Sequence, residues 1–211
     1  ITYDASGDPA YVTTGTSGQV LTSGGVGVAP TFQTAAGGGA TSINGLSDGT
    51  TSGTNNTGLG STALDSLTSG INNTAVGTDA LTYINSGNDN VASGYRAGYS
   101  LTTGSRNVAI GKQALYVGTV NDNVVAIGSG AGYGHSGSEC VAIGRDAMYA
   151  SSSSVECVAV GKDALKNNTT NNQVAVGYQA CTSATSGYYL TGVGSGALNS
   201  TTTGHNCAGI G

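Results

Sequence analysis

The sequence predicts an all-β fold, a parallel β-roll or β-solenoid of about nine coils of 16 or 17 residues. Ten units share one pattern, in which Asn or Cys, Val or Thr, Ala or Gly, an aliphatic residue and Gly are followed three residues later by Ala and usually Leu. The closing glycines are spaced by 17 residues in seven of nine steps and by 16 in the other two: Gly60, Gly77, Gly94, Gly111, Gly128, Gly144, Gly161, Gly177, Gly194 and Gly211. A short fixed period with one brief strand per unit is typical of stacked coils.

Composition limits the core and the partners. The 211 residues include 37 glycines, one Phe and no Trp, and only 8% are charged, so any core must be thin and built from small aliphatic side chains. The net charge of −5 offers no basic patch, which predicts that the chain does not bind nucleic acid. Apolar runs are too short for a membrane span.

Residues 1–55 do not follow the repeat, and residues 56–211 form the predicted β-roll domain. The first segment is rich in Gly, Ser and Thr, with β-prone pieces at Tyr11–Thr13, Gln19–Thr22 and Pro30–Phe32 and a flexible joint at Ala35–Gly39. Two interpretations stay open, a loosely ordered linker and a small β-collar that pairs between chains. We also expect the chain to continue past Gly211, because an uncovered coil end leaves a strand edge unpaired.

Within each coil, the second and fourth positions are aliphatic or β-branched and point to one face of a strand. We expect that face to be buried. The third position points the other way and is always Ala or Gly, which predicts a close approach by another backbone or by another subunit, so that both faces of the strand are covered. The alanines of this predicted subunit-facing column are Ala75, Ala92, Ala109, Ala126, Ala142, Ala159 and Ala175.

The rest of each coil supplies the turn and the opposite wall. The fifth-position glycine leads the strand into a turn, Ala always occupies the eighth position, and Leu usually occupies the ninth. One strand per coil favours a flat, two-sided roll over a three-sided helix. A roll this thin buries little area, so the sequence predicts oligomerisation.

Four tyrosines take the tenth position of consecutive coils and should form a stripe: Tyr99, Tyr116, Tyr133 and Tyr149. One interpretation is a stacking ladder that stabilises the roll or a subunit interface. The other is an exposed aromatic platform for host sugars, with Tyr188 and Tyr189 as a second candidate.

Catalytic patterns are weak. His135 and His205 lie in distant coils, are expected to be exposed, and have no further ligands at metal-like spacing. Cys140 and Cys157 stack in one column, as free thiols or as a disulfide. Three aspartates share a column: Asp79, Asp146 and Asp163. Since Asp146 and Asp163 follow Arg145 and Lys162, the column indicates a solvated charged edge more than a carboxylate pair for acid–base catalysis. We therefore predict no enzyme activity, no catalytic residue, no metal and no cofactor.

The units from Asn107 to Gly111 and their copies resemble the coils of YadA-type trimeric autotransporter adhesin heads. The Asn73–Leu81 form and the segment Gly15–Thr22 with Ala29–Phe32 are similar to bacteriophage tail fibres, especially those of phages that infect marine cyanobacteria. The resemblance implies a left-handed β-roll assembled as a homotrimer. The period of 16 or 17 residues departs from the shorter period of the adhesins.

These observations predict a structural and adhesive fibre, the trimeric shaft or head of a phage tail fibre used in host attachment. Its expected location is the virion tail, outside cells. Expected partners are further copies of the chain, other tail or surface-fibre proteins and a host cell-surface glycan. The alternative is a bacterial autotransporter-like adhesin or extracellular filament subunit on the cell surface.

Overall fold

The computed structural model describes residues 55–211 and five short strands before them, and it confirms the all-β, parallel solenoid. The chain divides into two compact units, Ile1–Leu46 and Ser47–Gly211. In the first unit, β1 (Thr2–Tyr3) pairs antiparallel with β2 (Pro9–Ala10), and β3 (Gln19–Thr22) pairs antiparallel with β4 (Thr31–Thr34). The predicted pieces at Tyr11–Thr13 and Ala35–Gly39 lie outside the described residues.

The second unit is one eleven-stranded sheet that carries the roll. It begins with β5 (Gly49–Thr50), which pairs antiparallel with the first coil strand. The ten coil strands then pair in sequence order, each parallel to the next. They are β6 (Thr57–Leu59), β7 (Thr74–Val76), β8 (Val91–Ser93), β9 (Val108–Ile110), β10 (Val125–Ile127), β11 (Val141–Ile143), β12 (Val158–Val160), β13 (Val174–Val176), β14 (Thr191–Val193) and β15 (Ala208–Ile210).

The register places identical repeat positions next to each other on neighbouring coils. Ala126 of β10 pairs with Ala109 of β9 and with Ala142 of β11, and the same alignment holds along the whole stack. Equivalent side chains therefore form columns that run the length of the roll, spaced by the usual distance of about 4.8 Å between strands.

The orientation of the strand side chains is the reverse of our expectation. The third-position alanines lie inside the chain's own roll and are at most 1% exposed, whereas the second and fourth positions point outward. The predicted subunit-facing column is therefore corrected to an interior column: Ala75, Ala92, Ala109, Ala126, Ala142, Ala159 and Ala175.

The reason for this inversion is the narrowness of the interior. At Gly192 and Gly209, which occupy the third position of β14 and β15, a Cβ atom would lie 2.6 Å from Cys181 Sγ and 2.8 Å from Leu198 Cγ. Those two residues occupy the ninth position on the opposite wall. The small column does mark a close approach, but the approaching group belongs to the same chain.

The fifth-position glycine is required by conformation and by space. Gly111 has φ +125°, and a Cβ atom there would lie 2.7 Å from the carbonyl carbon and oxygen of Gly128 on the next coil. Any side chain would force the coils apart, because backbone atoms cannot move aside as a flexible side chain can.

The opposite wall bends through left-handed residues. At the seventh, ninth and last positions of each coil, the non-glycine residues have φ between 48° and 60°. Leu81 and Leu165 adopt this conformation at the ninth position while fully buried. A left-handed leucine costs about 1–2 kcal/mol, but burying its side chain contributes about 1.5–3 kcal/mol, so packing outweighs the strain.

Polar side chains fill part of the interior. The asparagine ladder consists of Asn56, Asn73, Asn90 and Asn107, all in the first position and all at most 3% exposed. Each of Asn73, Asn90 and Asn107 donates from Nδ2 to the backbone carbonyl 14 residues later, near the end of its own coil, at 2.7–2.9 Å. Each amide oxygen of the ladder accepts the backbone N–H of the next first-position residue, at 2.7–3.1 Å. The ladder thus satisfies buried backbone groups that the short strands leave unpaired.

Candidate functional site

The outward sheet face is an unusually apolar surface for a single chain. It consists of the second and fourth positions of β6 to β14, which carry mostly Val and Ile. Several of these side chains are about two-fifths exposed, including Val76, Val91, Ile110 and Val193. They form a continuous stripe along the stack, since the strands are aligned in register. A continuous apolar stripe of this kind is typical of an interaction surface.

The tyrosine ladder, Tyr99, Tyr116, Tyr133 and Tyr149, forms a single aromatic stack. Neighbouring ring centroids are 5.1, 4.9 and 4.8 Å apart, and the interplanar angles are 4°, 13° and 12°. Tyr83, one position later in its own coil, closes one end of the stack with an edge-to-face contact at 5.0 Å. Sequence reasoning missed Tyr83, because the tenth position of its coil is Thr82.

Stacking determines what the tyrosine ladder offers to a ligand. The flat face of each internal ring is covered by its neighbour, and only edges and hydroxyl groups reach the surface. Sugars stack on exposed ring faces, so this geometry favours the scaffold interpretation. Burial raises the pKa of Tyr133, and the nearby Tyr83 hydroxyl raises that of Tyr99. Both phenols therefore remain neutral hydrogen-bonding groups at physiological pH.

The second aromatic candidate is more open. Tyr188 and Tyr189 are 45% and 58% exposed, and the ring of Tyr188 stacks on His205 at 5.6 Å. One face of Tyr188 is therefore covered by His205, and the two tyrosines alone form a smaller surface than the ladder.

The aspartate column is a charged edge with a cation beside each acid. The ion pairs are Asp79–Arg96 at 3.0 Å, Asp146–Arg145 at 3.7 Å and Asp163–Lys166 at 2.8 Å. Hydrogen bonds from Thr62 and Arg96 lower the pKa of Asp79. Against the opposing effect of burial, hydrogen bonds and the charges of Lys166 and Lys162 likewise lower the pKa of Asp163. Each acid has its own cation, which is not the shared-proton pair that acid–base catalysis uses.

His135 is buried, so our expectation of an exposed histidine there is wrong, while His205 is exposed as expected. The His135 Nδ1 atom lies 3.0 Å from the Ser151 carbonyl oxygen, which fixes the proton on Nδ1. Burial lowers the pKa of His135, so the ring is neutral at pH 7. Its Nε2 atom has no hydrogen-bond partner among the described residues, and neither does the amide oxygen of nearby Asn121.

The four cysteines are free thiols: Cys140, Cys157, Cys181 and Cys207. The Cys157 N–H points to the sulfur of Cys140 at 3.4 Å, so the two residues continue the column of the asparagine ladder without a disulfide. The hydrogen bond with Cys157 and burial raise the pKa of Cys140. Burial also raises the pKa of Cys181 to about 11. Cys140, Cys157 and Cys181 are buried and fill the interior as small packed side chains, whereas Cys207 is partly exposed.

Across the described strands and residues 55–211, no group of three or more His, Cys, Asp or Glu is arranged to hold a metal ion. The same part of the chain contains no helix with the length and hydropathy needed to cross a membrane. The chain matches no protein-family model, no curated protein and no solved structure.

Proposed function

We propose that the chain is a structural and adhesive fibre protein, a homotrimeric shaft or head segment of a bacteriophage tail fibre used in host attachment. The observation that carries this proposal is the outward sheet face, where Val and Ile side chains form a continuous apolar stripe along the stack. Its location in this proposal is the virion tail, and its partners are other fibre proteins and a glycan of the host surface.

The stripe supports self-association in particular. The interior is narrow and consists largely of Ala, Asn and single Leu side chains, so each chain buries little apolar area by itself. The half-exposed Val and Ile columns extend over nine strands, and a second copy presents an identical, equally long stripe. Covering these columns stabilises the association of copies by about 25 cal/mol for each Å² of apolar surface removed from water.

The tyrosine ladder supports a scaffold role on another side of the coil. Because the rings cover one another, their contribution is stiffness along the stack. A host glycan would bind elsewhere, and the exposed pair Tyr188 and Tyr189 offers it one aromatic surface.

The assembly is tested by sedimentation equilibrium of the full chain and of the variant Ile110→Thr/Ile127→Thr/Ile143→Thr. Thr already occupies outward positions such as Thr74, so the variant should keep its fold. We expect a trimer for the wild-type chain and a weaker one for the variant. The matched control, Val117→Thr/Val120→Thr, changes two exposed aliphatic residues of the return half and should remain trimeric. A monomeric wild-type chain would refute the proposal.

Location is tested separately by labelling purified phage and bacteria with antibodies against the chain. Label at the virion tail supports the tail-fibre function. Label on the envelope of uninfected bacteria instead supports the alternative, a bacterial surface adhesin.

A further inference from the structure

Two rows of side chains border the outward sheet face. The leading edge consists of the residue two positions before each strand, and the trailing edge consists of the residue directly after each closing glycine. The leading edge of β6 to β14 is Asn55, Asn72, Asp89, Arg106, Asn123, Glu139, Glu156, Asn172 and Tyr189. The trailing edge is Ser61, Thr78, Tyr95, Lys112, Ser129, Arg145, Lys162, Tyr178 and Ser195. Acids outnumber cations on the leading edge by three to one, whereas the trailing edge has three cations and no acid.

Like charges are stacked on both edges of the same two strands. Glu139 and Glu156 are adjacent on the leading edge, since Val141 of β11 pairs with Val158 of β12. Arg145 and Lys162 are adjacent on the trailing edge for the same reason. All four side chains are exposed. At a coil spacing of about 4.8 Å, each stack repels itself within an isolated chain.

Contacts within the chain relieve these charges only in part. Arg145 lies 3.7 Å from Asp146 but is 60% exposed, and Lys162 shares Asp163 with the closer Lys166. Among the described residues, no ion pair includes Glu139 or Glu156. The two carboxylates are thus held together without a counter-charge from their own chain.

Symmetry brings opposite edges together. Copies related by rotation about an axis parallel to the stack present the leading edge of one sheet face to the trailing edge of the next, because a cyclic arrangement is head-to-tail. Two copies related by a two-fold axis along the strands would have their stacks running in opposite directions. Their acidic leading edges would then face each other. Edge charge therefore favours parallel copies over antiparallel ones.

We propose that Glu139 and Glu156 of one copy pair with Arg145 and Lys162 of the next, and that these pairs fix the parallel, in-register assembly of the chain. This inference rests on the proposed homotrimer and names its register-setting residues. The same alignment would place Arg106 of one copy opposite Lys112 of the next at β9. These two positive charges repel each other and provide an independent test of the alignment.

The first experiment measures trimer dissociation of the full chain by sedimentation at low and high salt. Glu139→Gln/Glu156→Gln should raise the dissociation constant of the trimer roughly tenfold or more, since a trimer would contain about six such pairs. The difference in dissociation constant between this variant and the wild-type chain should be smaller at high salt. The control Asp65→Asn removes an exposed carboxylate that lies on neither edge and should leave the constant unchanged.

Partnership itself is tested by a double-mutant cycle with Arg145→Gln/Lys162→Gln. If the two edges pair, the variant with all four changes should form a trimer with a dissociation constant no higher than that of either double variant. Additive losses, or no loss from the glutamate variant, would overturn the pairing even if the wild-type chain is a trimer. A monomeric wild-type chain would instead refute the proposed function on which the pairing rests.

The second experiment uses a gain of stability that a misfolded variant could not imitate. Lys112→Glu replaces the unfavourable Arg106–Lys112 pair by an attractive one between copies. Its neighbours on the trailing edge, Tyr95 and Ser129, carry no charge. We expect trimer dissociation to shift to lower concentration, and an unchanged or weaker trimer would contradict the in-register alignment.

Discussion

Removing one member of the asparagine ladder should destabilise the whole roll. Asn90 Nδ2 donates to the Gly104 carbonyl at 2.9 Å, and its Oδ1 accepts the backbone N–H of Asn107 at 3.0 Å. Both bonds lie in the interior, where water does not replace them. In the variant Asn90→Ala, the Gly104 oxygen and the Asn107 N–H each lose their partner.

The magnitude follows from those two groups. A buried polar group without a partner costs about 1–3 kcal/mol, so Asn90→Ala should lower the free energy of unfolding by about 2–6 kcal/mol. Asn73 Oδ1 keeps one donor, the Asn90 N–H at 3.1 Å, and adds nothing to this loss. The measurement is denaturant unfolding at fixed protein concentration, with Asn85→Ala as the control, because the Asn85 side chain is exposed.

A second variant separates hydrogen bonding from cavity formation. Asn90→Asp keeps the shape of the side chain but turns an oxygen toward the Gly104 carbonyl and toward Asn73 Oδ1, which lies 3.0 Å from Asn90 Nδ2. Three acceptors then meet, so the loss should be larger at pH 7 than at pH 4, where the carboxyl group is protonated. If Asn90→Ala lies within about 0.5 kcal/mol of the control, the ladder does not have the role assigned to it.

Three further predictions concern the turn, the buried histidine and the tyrosine ladder. Gly128→Ala places a Cβ atom 2.6 Å from the Gly144 carbonyl oxygen at φ +133° and should cost at least about 3 kcal/mol of unfolding free energy. The control is Gly196→Asn, where φ is +71° and a Cβ atom would meet only the Asn199 amide nitrogen, at 3.7 Å. Because Asn adopts this conformation more readily than most residues, the control should lose far less stability in the same denaturation assay. Burial lowers the pKa of His135 below its ordinary 6.5, so the histidine ring takes up a proton at higher pH in the unfolded chain than in the folded one. The unfolding free energy should therefore rise with pH up to about 6.5. The variant His135→Asn should flatten this pH dependence. Tyr116→Ala and Tyr133→Ala each remove two stacking contacts and should each cost about 1–3 kcal/mol of unfolding free energy, with adsorption to host cells unchanged below the melting temperature. Loss of adsorption at unchanged stability would contradict the scaffold interpretation.

The sequence predicts the fold well because the repeat determines it. The closing glycines determine the number of coils and their register, and the tenth-position tyrosines follow from that register. The orientation of the strand side chains was predicted wrongly, because the larger aliphatic residues were expected on the buried face of the strand. In a roll this narrow, Ala126 fits inside and Ile127 does not, so the smaller residue is the buried one.

Compensating departures from the repeat at the junction of two coils also escaped prediction. Val124 interrupts the asparagine ladder, and the Asn121 side chain, three residues earlier, donates instead to the carbonyls of His135 and Gly137 at 3.1 and 2.8 Å. This is possible because Gly118 has no side chain: its Cβ would lie 1.7 Å from Asn121 Oδ1. Three residues changed together, and each alone has no recognisable pattern in the sequence.

The in-register pairing makes the length of the roll adjustable in whole steps. Deleting residues 78–94 would join Gly77 to Tyr95, which occupies the same repeat position as Thr78. Asn107 would then meet Asn73 through the bonds that Asn90 makes now. Each coil removed or duplicated would shorten or lengthen the roll by about 4.8 Å without introducing a new kind of contact. A chain built in this way can change its reach by unequal recombination between its own repeats, with no need to redesign a core.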